Sequence, residues 1–459
     1  MNGSADVVVV GAGPCGLASA LLAARRGMDV LIVEAADHVG GMAASIDVGG
    51  QRVDLGSHRL HPSAPPSVRA LLDDLLGSDV QVRTRHGRLH LAGRPGTSRW
   101  VGFPLRAPDL VRNVPIGVGA RIAADLATGP LRRRRSTPDG SYAAFVRAGL
   151  GPTALAMFHG PMATKLWGRA PEDLSSELAR RRISINGGSR MLTRIARGSR
   201  PSGRTFLYPR LGYGEVVDRL AERAAASGAA IVTGHRIAAL APGAEPVLDL
   251  DDGTTVQAGR VLWTAPLDAL GALLGHPTTR VVHRGLVLVY LVVDEDRYSL
   301  VDAHYVPDPG VAFARLSEPK NYRDGPDPAG RTVLCAELPA TVGDDVWADD
   351  DDGLAALVLD GMDAIGLRRP PILDAAVRRL PRVYPVLGPG DDARDRALGW
   401  ADGLTGVSVL GRQGRHVADN LHHVLDMAIA ADGCLAPGSW DDARWAAECR
   451  RFDAFVVDD

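Results

Sequence analysis

The stretch ADVVVVGAGPCGLASALLAARRGMDVLIVEAADHVGG, residues 5–41, decides the fold of this 459-residue chain. It opens with Asp6 to Val10, a run rich in β-branched residues and typical of a parallel strand that is buried on both faces. A helix-like stretch follows and ends at Gly27, and a second apolar strand, Val30 to Val33, leads into Glu34. This order of strand, helix and strand predicts the βαβ unit of a Rossmann-type α/β domain.

A GxGxxG motif, Gly11, Gly13 and Gly16, lies between the first strand and the helix. Glycine there lets the backbone approach a pyrophosphate closely, and the N-terminus of the helix offers unpaired N–H groups and positive potential. Glu34, about 20 residues further on, can accept the ribose hydroxyls. A structural glycine turn is the alternative, but the strand, the helix and the acid together favour dinucleotide binding.

The residues after Glu34 decide which dinucleotide is expected. Gly40 and Gly41 let a loop pass close to a ligand, an extension that NAD-binding units do not need. The pattern resembles that of glutathione-reductase-like FAD proteins, in which the double glycine lies along the FAD. That resemblance implies further backbone contacts from the strands GAAIVTGHRIAAL and TTVQAGRVLWTAP, at Val232 and at the turn Thr264 to Pro266. FAD is therefore expected rather than NAD.

Composition narrows the remaining classes. With 46% hydrophobic and 23% charged residues, the chain can bury a large core in two or more lobes. A formal net charge of −2 gives no general attraction to nucleic acid or to an anionic membrane. The four cysteines lack the spacing of a metal site, and no apolar run approaches the roughly 20 residues of a membrane-spanning helix. We expect a soluble, cytoplasmic protein that binds a small-molecule substrate and no metal; the oligomeric state stays open.

The middle of the chain predicts a second lobe. The segment HRGLVLVYLVVDE has the composition of a strand, and GVAFARLSEP and RTVLCAELPA alternate enough to be its antiparallel partners. Helix-like periodicity covers residues 107–128 and 171–182. We therefore predict an FAD-binding domain and an α+β substrate-binding lobe. The first comprises residues 1–95, 206–275 and 385–459, and the second comprises residues 96–205, mainly helical, and 276–384, mainly antiparallel sheet.

Seven segments carry a resemblance to a known group of proteins. They are DLGSHRLHP, TKLWGRAPEDLSSELARRRI, LGYGEVVDRLAE, VLWTAPLDAL, FARLSEPKN, YPVL and LGRQGRHVADNLHH. In this order they resemble the motifs of UDP-galactopyranose mutase-like and protoporphyrinogen-oxidase-like flavoproteins of the amine-oxidase group. The resemblance spans nearly the whole chain and implies an FAD-dependent enzyme with a glutathione-reductase-like FAD domain.

The resemblance also implies roles for single residues. His58 and His61 match the two histidines of the mutases' Gly-x-His-x-x-His segment beside the isoalloxazine, and Trp167 matches their active-site tryptophan. Arg182 matches their loop arginine, and Arg315 matches the arginine that faces the substrate diphosphate. Simpler alternatives are a core role for Trp167 and an ion-paired strand end for Arg315.

The segment LGRQGRHVADNLHH implies the completion of the FAD site. Gly411 and Arg412 resemble the Gly-Arg pair that meets the FAD, and residues 420–422 stand where the mutases have Asp-Met-His. In physical terms, Gly411 allows close backbone approach and the planar fork of Arg412 can pair with a phosphate. Asp419 is predicted to cap a helix that ends at Gly433, with its positive end toward the flavin pyrimidine ring.

The sequence departs from the mutase pattern at the positions that would contact the substrate. The mutases place tyrosines on the diphosphate, whereas the matching positions here are Met162, His416, Ala418 and Asp419, with only Tyr384 retained. A phenol is a good hydrogen-bond donor to phosphate, whereas the carboxylate of Asp419 repels a phosphate. Both points argue against a UDP-sugar substrate. The full set of predicted FAD contacts is Gly11, Gly13, Pro14, Cys15, Gly16, Glu34, Ala35, Gly40, Gly41, Met42, Gly56, Ser57, His58, Arg59, Val232, Thr264, Ala265, Gly411, Arg412, Asn420, Leu421 and His422.

The resemblance and the residues together predict an FAD-dependent oxidoreductase. It would take a hydride from an alcohol or amine carbon of a sugar-like or cyclic molecule, with His58 and His61 as acid–base candidates. Arg182 and Arg315 would clamp an anion or hydroxyl, and Trp167 would wall the pocket. One alternative is a sugar pyranose–furanose mutase with reduced flavin N5 as the nucleophile and no net redox. Another is a non-catalytic binder on the same fold.

Overall fold

The computed structural model describes residues 2–91, 99–104, 109, 112–135, 139–183, 205–276, 281–436 and 438–457. Two seven-stranded sheets with helices packed on them confirm the predicted α/β fold class. The longer helices of the described residues are Pro14–Arg25, Pro66–Leu76, Ile116–Arg135, Tyr142–Gly149, Gly160–Trp167, Ser176–Arg182, Glu215–Ala226, Leu267–Leu273, Asp351–Ala364, Ala393–Asp402, Leu421–Asp432 and Asp442–Phe452.

The first sheet contains the strands that open and close the chain. Its order is Ile237–Ala241, Val247–Leu250, Thr255–Trp263, Asn2–Val10, Val30–Glu34 and Ala230–Thr233, with Val407–Val409 paired to Thr255–Trp263. Asn2–Val10 runs parallel to both of its neighbours, as its apolar run predicts. Val7, Val8 and Val9 have no exposed surface, because helices cover both faces of the sheet. The predicted βαβ unit is therefore present.

The second sheet is mainly antiparallel. Its order is Ile372–Pro385, His283–Val293, Thr332–Ala340, Arg315–Ser317, Ala303–Tyr305, Gly87–Leu91 and Arg99–Phe103. Alternate residues of His283–Val293 belong to two different hydrophobic cores, since successive side chains point to opposite faces. Leu288 and Tyr290 share a core with Trp167, whereas Val287 and Val289 pack under the helix Asp351–Ala364.

Two details of the second sheet differ from the prediction. The strand Arg315–Ser317 pairs with Thr332–Ala340 and not with His283–Val293. The other neighbour of His283–Val293 is the strand Ile372–Pro385, which was not predicted from the sequence. Ile372–Pro385 forms an edge of the sheet and is half-exposed, so it lacks the apolar run of an inner strand.

The helical part of the second lobe also differs in its bounds. The helix predicted over residues 107–128 is Ile116–Arg135, and residues 107, 108, 110 and 111 lie outside the described part of the chain. The helix predicted over residues 171–182 is right only for Ser176–Arg182. Ser175 is its N-cap, because its side chain accepts a hydrogen bond from the N–H of Glu177. Pro171–Asp173 forms a separate short turn.

Three two-stranded pairs complete the strands of the described residues: Ser45–Val48 with Gln51–Asp54, Val80–Thr84 with Thr205–Pro209, and Leu435–Ala436 with Ser439–Trp440. Within the described ranges, no helix has the length and hydrophobicity that crossing a membrane requires.

Candidate active site

A cavity of about 940 Å³ is lined by residues of both sheets. Three distant parts of the chain meet at its wall, since a Cβ on Gly411 would lie 3.2 Å from the Cβ of Cys15 and 3.6 Å from that of Thr264. The predicted contacts on this wall are Gly11, Gly13, Pro14, Cys15, Glu34, Ala35, Gly41, Met42, Gly56, Ser57, His58, Arg59, Arg182, Thr264, Ala265, Arg315, Gly411, Arg412, Asn420 and Leu421.

The glycine turn at the start of the chain has the geometry that dinucleotide binding requires. Gly11 has a φ of 102° and donates its N–H to the Val33 carbonyl at 2.8 Å. Glu34 is fixed at both carboxylate oxygens, by the N–H groups of Ala12 at 2.7 Å and Ala36 at 2.8 Å. A Cβ on Gly16 would lie 2.0 Å from the Gly11 carbonyl oxygen, so only glycine permits this approach. Contacts within the protein therefore fix the shape of the turn.

Several predicted residues lie behind the cavity wall. Gly16 and Gly40 allow neighbouring backbone to pack closely, and Val232 lies within the strand Ala230–Thr233 of the first sheet. His61 bonds to Ser63 and lies near His422, whose ring centroid is 6.1 Å away. Among the described residues, none of these side chains reaches the wall of the large cavity. His61 therefore has no part in the chemistry proposed below.

Arg412, for which a phosphate contact is predicted, links two segments of the chain by hydrogen bonds. Its Nη1 donates to the Asp419 carbonyl at 3.0 Å and its Nη2 to the Val383 carbonyl at 2.8 Å. The side chain thus ties the Gly411 segment to the second sheet, and both ends of its fork are occupied. Burial lowers the pKa of Arg412, and the nearby Arg182 acts in the same direction.

The position of Asp419 corrects one prediction. Asn420, and not Asp419, caps the helix Leu421–Asp432, with His423 returning a bond to the Asn420 N–H. The Asp419 side chain has no exposed surface and lies 3.6 Å from Arg181 Nη1. Burial raises the pKa of Asp419 to about 6, although Arg181 and Arg412 oppose this. Asp419 lines the cavity, and Arg181 offsets its charge there, so the repulsion of a phosphate stays a prediction.

His58 lies on the wall with a fixed ring orientation. Its Nε2 is 2.9 Å from the Leu55 carbonyl oxygen, and its ring stacks on Tyr213 with centroids 4.8 Å apart. A carbonyl only accepts hydrogen bonds, so Nε2 carries the proton and Nδ1 is left as an acceptor. Burial lowers the pKa of His58, partly offset by Asp54, so the ring is neutral at pH 7.

Arg182 lies between two aromatic rings. Its guanidinium carbon is 5.3 Å from the ring centroid of Trp167 and 5.0 Å from that of Tyr384. Its Nε has no hydrogen-bond partner among the described residues. Trp167 is buried in the core behind Arg182, and a core role is the alternative that its position supports.

Arg315 forms a buried bidentate ion pair with Glu337. Its Nε and Nη2 lie 2.9 and 2.7 Å from the two carboxylate oxygens, and the Glu337 side chain is 4% exposed. Glu337 also accepts the Ser57 N–H at 2.8 Å. Burial lowers the pKa of Arg315, but Glu337 and Tyr305 raise it by a larger amount. The pKa of Arg315 therefore lies above its ordinary value.

Arg59 is a further arginine on this part of the wall. It lies 5.0 Å from the ring centroids of Phe206 and Tyr322 and 3.3 Å from Asp302. Its Nη1 donates to the Tyr305 hydroxyl at 3.1 Å. Because that oxygen already accepts a bond, the phenol proton of Tyr305 can be donated to a ligand. We call Arg59, Arg182, Arg315 and Arg412, with Tyr305 and Tyr384, the arginine cluster.

Arg85, Tyr213, Tyr305 and Glu337 are among the wall residues that the sequence missed. Tyr305 lies on a three-residue strand with no recognisable pattern. Glu337 had a usable signal, since it is the one acid in the buried strand Thr332–Ala340 and a buried carboxylate needs a partner.

The glycine turn, the fixed carboxylate of Glu34 and the size of the cavity fit a flavin dinucleotide, and fold and site together define a two-lobed FAD-binding protein. The family model described as flavin containing amine oxidoreductase matches residues 14–378. The chain belongs to this family, and its cofactor is FAD. The predicted resemblance is confirmed.

Known proteins agree with this assignment. The chain is 30% identical to AofH of Mycobacterium tuberculosis, whose name describes a flavin-containing monoamine oxidase, over 42% of this chain and 44% of that protein. The chain thus matches less than half the length of this curated relative. A reduced UDP-galactopyranose mutase has a similar structure, with a TM-score of 0.79 and 19% identity over 99% of this chain and 100% of that one. A protein from Exiguobacterium sp. 255-15 described as a protoporphyrinogen oxidase has a TM-score of 0.73 and 18% identity over 94% and 98% of the chains.

Proposed function

We propose that this protein oxidises an alcohol carbon of a small, sugar-like or cyclic molecule that also carries an anionic group. The observation that carries the proposal is the arginine cluster on the wall of the FAD cavity. Bound FAD supplies the hydride acceptor. The protein would contribute binding, orientation and one proton acceptor, as set out below.

The charge balance of the cluster supports an anionic ligand. Arg315 is balanced by Glu337 and Arg59 by Asp302. Arg182 forms no ion pair with any described residue, and its Nε lacks a hydrogen bond. Arg182 is half-buried, so solvent screens its charge only in part. A carboxylate or phosphate of the substrate would pair with this charge, and the Tyr305 phenol could donate to the same group.

His58 supports the removal of a proton from a hydroxyl group. Its Nδ1 is an acceptor, its ring is neutral at pH 7, and its Nε2 is held by the Leu55 carbonyl. We infer that Nδ1 accepts the hydroxyl proton of the substrate while FAD is bound beside it. Loss of that proton strengthens the tendency of the carbon to release a hydride.

The residues of the cavity wall favour an amine substrate less than an alcohol. An amine at pH 7 is an ammonium ion, and the cluster adds positive charge around it. Of the acids near the cluster, Glu337 is already bound by Arg315 at two oxygens, and Asp419 lies 3.6 Å from Arg181 Nη1. The alcohol is therefore the better candidate of the two carbon types expected from the sequence.

A sugar mutase without net redox is the second candidate. Arg182, Arg315 and two phenols, Tyr305 and Tyr384, share the cavity, and Arg181, 3.6 Å from Asp419, offsets the charge of that carboxylate. Turnover that appears only after reduction by dithionite would favour the mutase. Turnover of the oxidised protein, with a product at a higher oxidation level, would favour the oxidoreductase.

The proposal is tested by anaerobic bleaching of the purified holoprotein. A panel would contain hydroxy acids and sugar phosphates, each paired with its neutral alcohol, together with primary amines. We expect an anionic alcohol to bleach the visible flavin absorption, at a rate at least ~100-fold above that of its neutral partner, which corresponds to about 3 kcal/mol. Bleaching by amines or neutral alcohols alone would contradict the proposal.

Arg182→Met tests the anion site, because methionine removes the charge but still fills the space between the two aromatic rings. We expect the Kd for inorganic phosphate, followed by the flavin difference spectrum, to rise about 10- to 100-fold, because a charged hydrogen bond contributes about 1.5–3 kcal/mol. FAD content should stay unchanged. The matched control is Arg369→Met, which removes a surface arginine paired with Asp360 and Asp363 and should leave this Kd unchanged. An unchanged Kd in Arg182→Met would contradict the assignment.

A further inference from the structure

One hairpin of the second sheet carries two members of the arginine cluster. Its strands are Ala303–Tyr305 and Arg315–Ser317, and Tyr305 is directly opposite Arg315 in the register. We call residues 303–317 the site hairpin. Its loop, residues 306–314, leaves the sheet just after Tyr305 and returns just before Arg315. The conformation of this loop therefore bears on the placement of both side chains.

The ammonium group of Lys165 holds this loop by hydrogen bonds. Its Nζ donates to the carbonyls of Val306 at 2.7 Å, Asp308 at 2.6 Å and Phe313 at 3.0 Å. An ammonium has three N–H donors, so all of them are used by backbone acceptors. Lys165 itself does not line the cavity. It can affect a ligand only through the residues that it holds.

The helix that carries Lys165 reaches both sides of the arginine cluster. Trp167, two residues further along Gly160–Trp167, packs against the Arg182 guanidinium. The same short helix thus holds the site hairpin through Lys165 and backs Arg182 through Trp167.

We propose that Lys165 is a positioning residue for the anion-binding part of the site, fixing Tyr305 and Arg315 relative to Arg182 by clamping the loop of the site hairpin. This rests on the proposed function, in which the cluster receives an anionic group. It explains why a lysine is placed where no carboxylate bonds to its ammonium among the described residues.

The protonation of Lys165 gives the clamp a pH dependence. Burial lowers the pKa of Lys165 to about 7, and Asp308 opposes this decrease. Among the described residues, His90 also interacts with Lys165, and burial lowers the pKa of His90 as well. A neutral amine has two N–H donors for three carbonyls, so one contact is lost as the pH rises above 7. Phosphate affinity should then fall more steeply with pH in the wild type than in Lys165→Arg.

The other lysine of the chain provides a matched control. Lys320 is buried and lies away from the cavity. Its Nζ also donates to three carbonyls, those of Asp296, Pro328 and Arg331, at 2.7–3.0 Å, and to the Asp296 carboxylate. Lys320→Met therefore removes a comparable loop clamp without touching the site hairpin.

The experiment compares the holoprotein of the wild type, Lys165→Met, Lys165→Arg and Lys320→Met. Two quantities are measured: the Kd for inorganic phosphate from the flavin difference spectrum, and amide hydrogen exchange of peptides covering residues 303–317. In Lys165→Met we expect the Kd to rise at least tenfold and exchange in the site hairpin to accelerate at least tenfold. Lys165→Arg should recover part of both, and Lys320→Met should leave both within twofold although its Tm falls.

Two outcomes would overturn the inference. One is a lowered Tm in Lys165→Met with an unchanged phosphate Kd, which would make Lys165 purely structural. The other is unchanged exchange in the site hairpin. If the wild type shows no response to phosphate, the proposed anionic substrate fails, while the exchange data still decide whether Lys165 holds the hairpin. Should Lys165→Met not fold, Lys165→Arg and the pH dependence of the wild-type Kd provide the same decision.

Discussion

Gly411→Val should yield a folded protein that is purified without FAD. Gly411 has a φ of 81°, and its added Cβ would lie 3.2 Å from the Cβ and 3.4 Å from the Sγ of Cys15. Left-handed backbone costs a side chain about 1–2 kcal/mol, and overpacking costs about 1–3 kcal/mol more. The segment can relieve both only by moving relative to the glycine turn. We therefore expect FAD affinity to fall at least ~100-fold, about 3 kcal/mol.

Gly253→Val is the matched control for that change. Gly253 has a φ of 85°, and nothing lies within 4 Å of its added Cβ. The backbone strain is the same, but the position is a turn between two strands of the first sheet. Its Tm should fall while its FAD content, measured by absorption after gel filtration, remains that of the wild type. Equal FAD content in both variants would contradict a role for Gly411 at the cofactor.

Arg315→Met should cost both stability and anion binding. Removing the arginine leaves the Glu337 carboxylate buried and without its bidentate partner. Breaking one side of a buried ion pair destabilises a protein by about 3–5 kcal/mol. We expect the free energy of unfolding to fall by that amount and the Kd for inorganic phosphate to rise at least ~100-fold, as for the loss of two charged hydrogen bonds.

The double variant Arg315→Met with Glu337→Gln separates the two effects. Glutamine removes the unpaired charge and keeps an oxygen for the Ser57 N–H. Most of the stability should return, because no buried charge remains unbalanced. Phosphate binding should not return, because the guanidinium is still missing. Full recovery of phosphate affinity in the double variant would restrict Arg315 to the simpler role of an ion-paired strand end.

The first βαβ unit could be predicted because its signals are local. A buried parallel strand, a glycine turn and an acid at the end of the next strand all lie within residues 5–41, and each has a physical reason to be there. The three-segment convergence was implied by the resemblance and not by spacing. The domain bounds and the roles assigned to single residues stay predictions.

The substrate side could not be predicted in the same way. Arg412 and Asp419 line the cavity, and their ligand-facing roles stay predictions, but the sequence did not show their protein partners, which are two backbone carbonyls and Arg181. Tyr305 enters the cavity from a strand of three residues, too short to show a period of two. Which side of a loop faces a cavity depends on tertiary packing, and a single sequence does not contain that information in readable form.

The central claim is that the glycine turn, the Gly411 segment and the arginine cluster enclose one FAD and one anion in a single cavity. The flavin difference spectrum of the wild-type holoprotein on addition of inorganic phosphate tests it most directly. The account predicts one bound FAD per chain and a saturable change of its visible absorption as phosphate binds. A protein that takes up no FAD, or a bound flavin whose spectrum is unchanged while calorimetry shows phosphate binding, would contradict it.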